Sequence, residues 1–184
     1  MEGAPPEEAT AGSVRVRRWR GGDAADLHEL LLANVEHLRP WMAFVEAEPL
    51  SIEDRRAKIS EWNARWDTGE DFPYAIVDVA TGELLGACGL HRRIGPNGLD
   101  LGYWVRGDRS RRGIATDAAQ ALIQAAFSVD AISHVEIHHD AANVASQRIP
   151  EKLGFVRVGE KPDTAAAPSE IGIDVTWRLD RDPA

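Results

Sequence analysis

Apolar and polar positions follow recognisable periods along this chain. Val14 and Val16 alternate with arginines up to Trp19, a spacing of two that predicts a strand. Gly21 and Gly22 break it, and Asp23 stands where a helix cap is expected. Leu27, Leu30, Leu31, Val35 and Leu38 then recur at helical spacing until Pro40 stops the pattern. A second helix opens at Ser51, with Asp54 three residues on as a variant capping box, and places Ile59, Trp62 and Trp66 on one face. Three apolar runs follow, Pro73 to Val79, Leu84 to His91 and Leu99 to Arg106, separated by Thr81-Gly82 and by Gly95-Pro-Asn-Gly98, which predicts an antiparallel meander. Beyond the Arg/Gly segment 106 to 113, residues 115 to 128 form an alanine-rich helix, His134 to His139 a strand, and Asn143 to Leu153 a short helix stopped by Gly154. Phe155 to Val158 and Ile171 to Leu179 close the chain as strands. The order βααβββαβαββ predicts an α+β protein with a mixed, mostly antiparallel central sheet of about seven strands flanked by about four helices.

Composition narrows this further. A chain of 184 residues fits one domain, placed at residues 13 to 184, with residues 1 to 12 expected to be a disordered tail. No apolar run approaches the roughly 20 residues that cross a bilayer, so no membrane partner is expected. The start has neither the basic nor the apolar region of a secretory signal, and Cys88 is the only cysteine; both predict a cytoplasmic protein without an internal disulfide. Inside an apolar strand, Cys88 reads as a small buried hydrophobe. The net charge of -9 argues against a protein that binds nucleic acid by neutralising phosphates.

The charge is uneven, and residues 106 to 112 hold four arginines against one aspartate. There a strand runs through a polar turn, Arg106-Gly-Asp-Arg-Ser-Arg-Arg-Gly-Ile-Ala-Thr116, directly into a helix. Such a junction aims backbone N–H groups and the positive end of a helix dipole at one place, which suits a pyrophosphate. Gly113 allows close backbone approach, and Ala115 is small enough not to obstruct it. No Gly-Lys-Ser/Thr follows, so this is not a Walker loop. Taken alone, the turn reads equally well as a solvated cap.

Four features together decide the matter: the Arg112-Gly-Ile-Ala-Thr116 loop, Asn143-Val-Ala-Ser146 leading to Glu151-Lys-Leu-Gly-Phe155, Gly102-Tyr-Trp-Val105, and Leu38-Arg-Pro-Trp41. In order and spacing they resemble the GCN5-related N-acetyltransferases (GNAT), and within them the ribosomal-protein N-terminal acetyltransferases of the RimJ/RimL type, over residues 14 to 179. Two positions depart from the family pattern. Ser110 replaces the usual Arg or Gln that opens the loop, with Arg109 and Arg111 beside it, and Pro150 interrupts the second motif's helix, where it is expected to kink or restart it.

The resemblance implies the GNAT fold, with acetyl-CoA as co-substrate, no metal, and a gap between the strands ending near Val105 and His139. Its pyrophosphate would lie over Arg111, Arg112, Gly113, Ile114, Ala115 and Thr116, and its pantetheine arm would pair with the backbone of Trp104 and Val105. Asn143 would bind the pantetheine part, or cap its helix, or both. A backbone N–H near Val105 would stabilise the oxyanion. Ser146 is the candidate for protonating the departing thiolate, the alternative being a hydroxyl bonded back to a helix carbonyl. Asp100, ahead of Gly-Tyr-Trp, is the candidate base, acting directly or through water, against the plainer reading of an aspartate after a turn, with Glu136, His138 and His139 as competitors. Trp41 and Tyr103 are assigned to the acceptor side, Trp41 having core anchoring as its alternative. Trp62 and Trp66 read as packing residues. His134, Glu136 and His138 share a strand face and His139 points away; their spacing matches no common metal motif.

The expected activity is acetyl transfer to a primary amine, either a protein N-terminus or a small molecule, by direct attack on the thioester. The alternative is a non-catalytic acyl-CoA-binding module. A homodimer is compatible with the resemblance, and no nucleic-acid partner is expected.

Overall fold

The computed structural model describes residues 3–182. Among these, eight strands form one sheet in the order β1-β2-β3-β4-β5-β6-β8-β7. They are β1 Glu8–Ala11, β2 Val14–Arg18, β3 Asp71–Asp78, β4 Leu84–His91, β5 Gly98–Val105, β6 His134–Asp140, β7 Val156–Pro162 and β8 Ile173–Asp180. The helices are α1 Ala24–Leu32, α2 Val35–Leu38, α3 Ile52–Thr68, α4 Ile114–Phe127 and α5 Val144–Lys152.

Alternation along β3 shows how the sheet is covered. Tyr74 and Ile76 join the α4 residues Ala118, Ala121 and Leu122 in one core. Ala75 and Val77 join Leu27, Leu30 and Leu31 of α1 and Ile59 of α3 in a second. Small alanines on α4 let that helix lie close to the strands. Cys88 and Trp66 are buried in the first core, and Trp62 packs on Trp19 with ring centroids 5.3 Å apart.

Every neighbouring pair is antiparallel except β5 and β6, which run parallel and pair only over Gly98–Asp100 and His134–Glu136. Beyond that point β5 stays with β4 as far as Val105, and β6 stays with β8 as far as Asp140. The two strands thus separate into a V whose facing backbone edges have no strand partner.

Three expectations are corrected. Part of the segment assigned to a disordered tail is strand β1, which pairs with β2 while the Tyr74 hydroxyl donates to the Pro6 carbonyl at 2.8 Å. Its apolar positions are only Ala9 and Ala11, too small to give a legible alternation. This raises the strand count to eight; residues 1 and 2 of that segment lie outside the described residues. The first predicted helix divides at Ala33 and Asn34, where the Asn34 amide donates to the Leu30 carbonyl at 2.7 Å and draws the chain out of the helical path. Finally, the helix does not restart at Pro150: α5 is continuous from Val144 to Lys152.

Candidate active site

A cavity of about 690 Å³ occupies the V between β5 and β6. Its wall brings together eleven of the residues singled out in the sequence: Trp41, Tyr103, Trp104, Val105, Arg111, Gly113, Ile114, Ala115, Thr116, Asn143 and Ser146. Arg112 is exposed and off that wall.

The loop into α4 is shaped for an anion. Arg111 has φ 61° and Gly113 φ 83°, two left-handed residues around Arg112. Left-handed residues next to a helix start turn successive N–H groups to one side, and the first-turn N–H groups of α4 have no intrahelical acceptors. A non-glycine residue at positive φ is held there by its surroundings and marks functional strain. The arginine cluster is less free than its composition implies. Glu83, from the β3–β4 turn, pairs with Arg106 and with Arg109, the latter at 2.9 Å, and Asp108 pairs with Arg106 at 2.7 Å. Among the described residues Arg111 and Arg112 have no carboxylate partner, so the charge available to a ligand lies at the helix start.

On the opposite arm of the V, Asn143 caps α5: its side-chain oxygen accepts the Ser146 N–H at 3.1 Å. The turn before it hangs on Asp140, a residue not anticipated from sequence. One oxygen of that carboxylate accepts from Ala142 N–H at 2.8 Å, and the other from the N–H groups of Ile171, Gly172 and Ile173. Burial alone would raise its pKa, but these four donors hold it below the usual aspartate range. Ser146 Oγ lies 3.2 Å from the Tyr103 hydroxyl, which crosses the cavity from β5. Burial pushes the Tyr103 phenol up to about 12, against a smaller downward pull from its Ser146 contact.

The far side of the cavity is built by the segment between α1 and α3. Trp41 reaches the wall, and Trp104 packs on Phe44 with ring centroids 6.2 Å apart. Glu36, His37 and Met42 also line the cavity and were not singled out. Helical periodicity placed Val35 and Leu38 inward, and the two residues between them, Glu36 and His37, lie on the cavity wall.

Asp100 does not reach the cavity. It sits at the last paired position of β5 and β6, is 2 % exposed, and pairs with Arg93. As a direct base it is misplaced, because its carboxylate is already engaged and lies away from the wall. Its competitors are also occupied. His138 bridges Glu136 at 3.2 Å and Asp174 at 3.0 Å on the predicted polar face, while buried His139 accepts from the Trp177 indole at 2.9 Å. Among the described residues no cluster of three or more His, Cys, Asp or Glu is arranged to hold a metal ion, and no helix is long and apolar enough to cross a membrane.

Comparison with known proteins agrees with this architecture. Residues 13–156 match the family model described as an acetyltransferase (GNAT) domain. YdaF of Bacillus subtilis (strain 168), named for ribosomal N-acetyltransferase activity, is 27% identical over 151 residues, 82% of this chain and 81% of its own length. Two solved structures share the fold. RimL, a ribosomal L7/L12 alpha-N-protein acetyltransferase solved with coenzyme A, is 19% identical with a TM-score of 0.85, covering 96% of this chain and 99% of its own. RimJ of Mycobacterium smegmatis, solved with a CoA disulfide, is 21% identical with a TM-score of 0.78, covering 97% and 88%.

Proposed function

We propose, since the chain belongs to the GNAT family of acetyltransferases, that it transfers the acetyl group of acetyl-CoA to a primary amine by direct attack on the thioester. The observation that carries this is the V between β5 and β6, whose cavity holds an anion cradle at the start of α4 and the Tyr103–Ser146 hydroxyl pair on the same wall.

Acetyl-CoA supplies an activated acyl group and a thiolate leaving group. The N–H groups at the start of α4, with Arg111, would hold its pyrophosphate. The unpaired edge of β5 at Trp104 and Val105 would take the pantetheine amides as an added strand, with Asn143 facing them. A backbone N–H near Val105 would steady the oxyanion, and Ser146 would donate to the departing sulfur. This binding needs no side chain at Ser110, because the loop's donors are backbone groups.

With Asp100 off the wall, the acceptor's proton would go to water or to Glu36 or His37, which do line the cavity, and magnitudes favour particular amines. An α-amino group of pKa about 7.8 is roughly a quarter neutral near pH 7.3, whereas a lysine side chain near 10.4 is neutral to only about 0.1%. A protein N-terminus or a small amine of low pKa is therefore the favoured acceptor, in keeping with the ribosomal proteins named for YdaF and RimL. The net charge of -9 favours cationic acceptors as a class.

The test is acetyl-CoA turnover with a panel of peptides and small amines, read as free thiol. Thiol release that depends on the amine is the expected result. Tight acetyl-CoA binding with no release from any acceptor would favour the non-catalytic binding module instead.

A further inference from the structure

One helix in the site contains a proline where an N–H would ordinarily be. Pro150 lies inside α5 and is buried, and a proline at that position has no N–H to give the carbonyl four residues earlier. That carbonyl belongs to Ser146. The Tyr103 hydroxyl reaches it, at 3.3 Å from Ser146 O and 3.2 Å from Ser146 Oγ. The missing donor in the helix and the tyrosine on the strand therefore meet at one residue, the one proposed above as the donor to the departing sulfur.

We propose that Tyr103 is a positioning residue for Ser146, turning its hydroxyl into a fixed hydrogen-bond donor to the departing sulfur; the Ser146 carbonyl, left open by Pro150, is the resting acceptor from which the tyrosine switches. The inference rests on the acetyl-transfer reading above. A serine hydroxyl has one proton. When that proton is given to Tyr103 Oη, the tyrosine donates to the Ser146 carbonyl and the pair is closed on itself. When Tyr103 instead donates to Ser146 Oγ, the serine proton is released towards the cavity. A thiolate forming there selects the second arrangement, and Oγ does not have to move between them. Ser146 also occupies the third position of α5, where the helix dipole favours negative charge on the sulfur.

Magnitudes say that this is donation and not proton delivery. The phenol is pushed up to about 12, whereas a thiol titrates at about 8.5, so the thiolate is too weak a base to take that proton. In the transfer the N–C bond forms, the C–S bond breaks with its electron pair left on sulfur, and the amine proton departs to water, Glu36 or His37. The thiolate is protonated by solvent afterwards.

Tyr103→Phe, Pro150→Ala, Ser146→Ala and the Tyr103→Phe/Ser146→Ala double variant test this by steady-state kinetics across pH 6 to 9, with acetyl-CoA affinity measured by calorimetry as a check that each variant is folded. Tyr103→Phe is expected to lower kcat about tenfold with KM for acetyl-CoA unchanged within about twofold, by the same factor at every pH, since no titration of Tyr103 is involved. Pro150→Ala restores the helix N–H to the Ser146 carbonyl and removes the competing acceptor, so kcat should stay level or rise with affinity intact; a loss equal to that of Tyr103→Phe would overturn the proposed switch. The double variant should be no slower than Ser146→Ala alone. Unchanged kcat in Tyr103→Phe, or losses that simply multiply in the double variant, would overturn the positioning role while leaving acetyl transfer in place. No thiol release by the unmodified chain with any amine would overturn acetyl transfer itself, and this inference with it.

Discussion

The side-chain oxygen of Asn34 accepts the backbone N–H of Gly107 at 2.8 Å, tying the break between α1 and α2 to the end of β5. The contact is close: a Cβ at Gly107 would stand 2.8 Å from Cγ of His37. Asn34 is 6 % exposed and also donates to the Leu30 carbonyl. One side chain thus holds both the break between α1 and α2 and the start of the loop that leads into α4.

Asn34→Ala leaves the Gly107 N–H and the Leu30 carbonyl without this partner. The expected cost is about 1–3 kcal/mol in chemical denaturation, with a raised KM for acetyl-CoA because the loop loses its anchor. A variant with normal stability and normal KM would contradict the coupling.

Gly113 holds φ 83° at the start of α4, a conformation that costs a non-glycine residue about 1–2 kcal/mol. Gly113→Glu adds that strain, a side chain on the cavity wall and a negative charge where a pyrophosphate is proposed. Calorimetric titration should show acetyl-CoA affinity lost, and retention of affinity would remove the loop assignment.

Asp100→Asn is expected to affect stability rather than the pH dependence of catalysis. Its carboxylate is buried but its partner Arg93 is largely exposed, so the pair should contribute about 1 kcal/mol. The shape of the pH–rate profile should remain that of the unmodified chain. A shifted profile would return Asp100 to the catalytic machinery.

Glu48, in the segment between α1 and α3, forms an ion pair with Arg55, and both side chains are almost wholly buried. Burial alone would raise the Glu48 pKa, but Arg55 and the Leu50 N–H outweigh it and hold the carboxyl below its ordinary value. A carboxyl that titrates lower in the folded state than in the unfolded chain, near 4.3, stabilises fully above the unfolded value, and that contribution disappears as pH falls through the folded one. Glu48→Gln should therefore cost about 3 kcal/mol at pH 7, as expected when one partner of a buried pair is removed. The difference from the unmodified chain should narrow as denaturation is repeated at decreasing pH below about 4. A constant difference across that range would contradict the linkage.

Local rules carried much of the site. The Arg-Gly-Ile-Ala-Thr loop, the Asn143 cap and the Gly-Tyr-Trp strand are each legible because a turn, a cap and an alternation are set by neighbours within a few residues. Asp140 was not legible, because its four donors include three from a segment about thirty residues away. The same holds for Glu83, whose role depends on one hairpin turn lying beside the end of another strand.

What the sequence determined by itself was the kind of element at most positions and the identity of the residues on the β5, α4 and α5 walls of the V, since periodicity and turn chemistry are short-ranged. It also marked Pro150 as irregular, without saying what the irregularity was for. The tertiary structure decided where side chains meet. It moved Asp100 off the cavity by pairing it with Arg93, took two arginines of the basic loop into pairs with Glu83, and set the Tyr103 hydroxyl against Ser146 across a sequence separation of 43 residues. Such contacts depend on strand order and on where β5 and β6 part, which no local window of sequence contains.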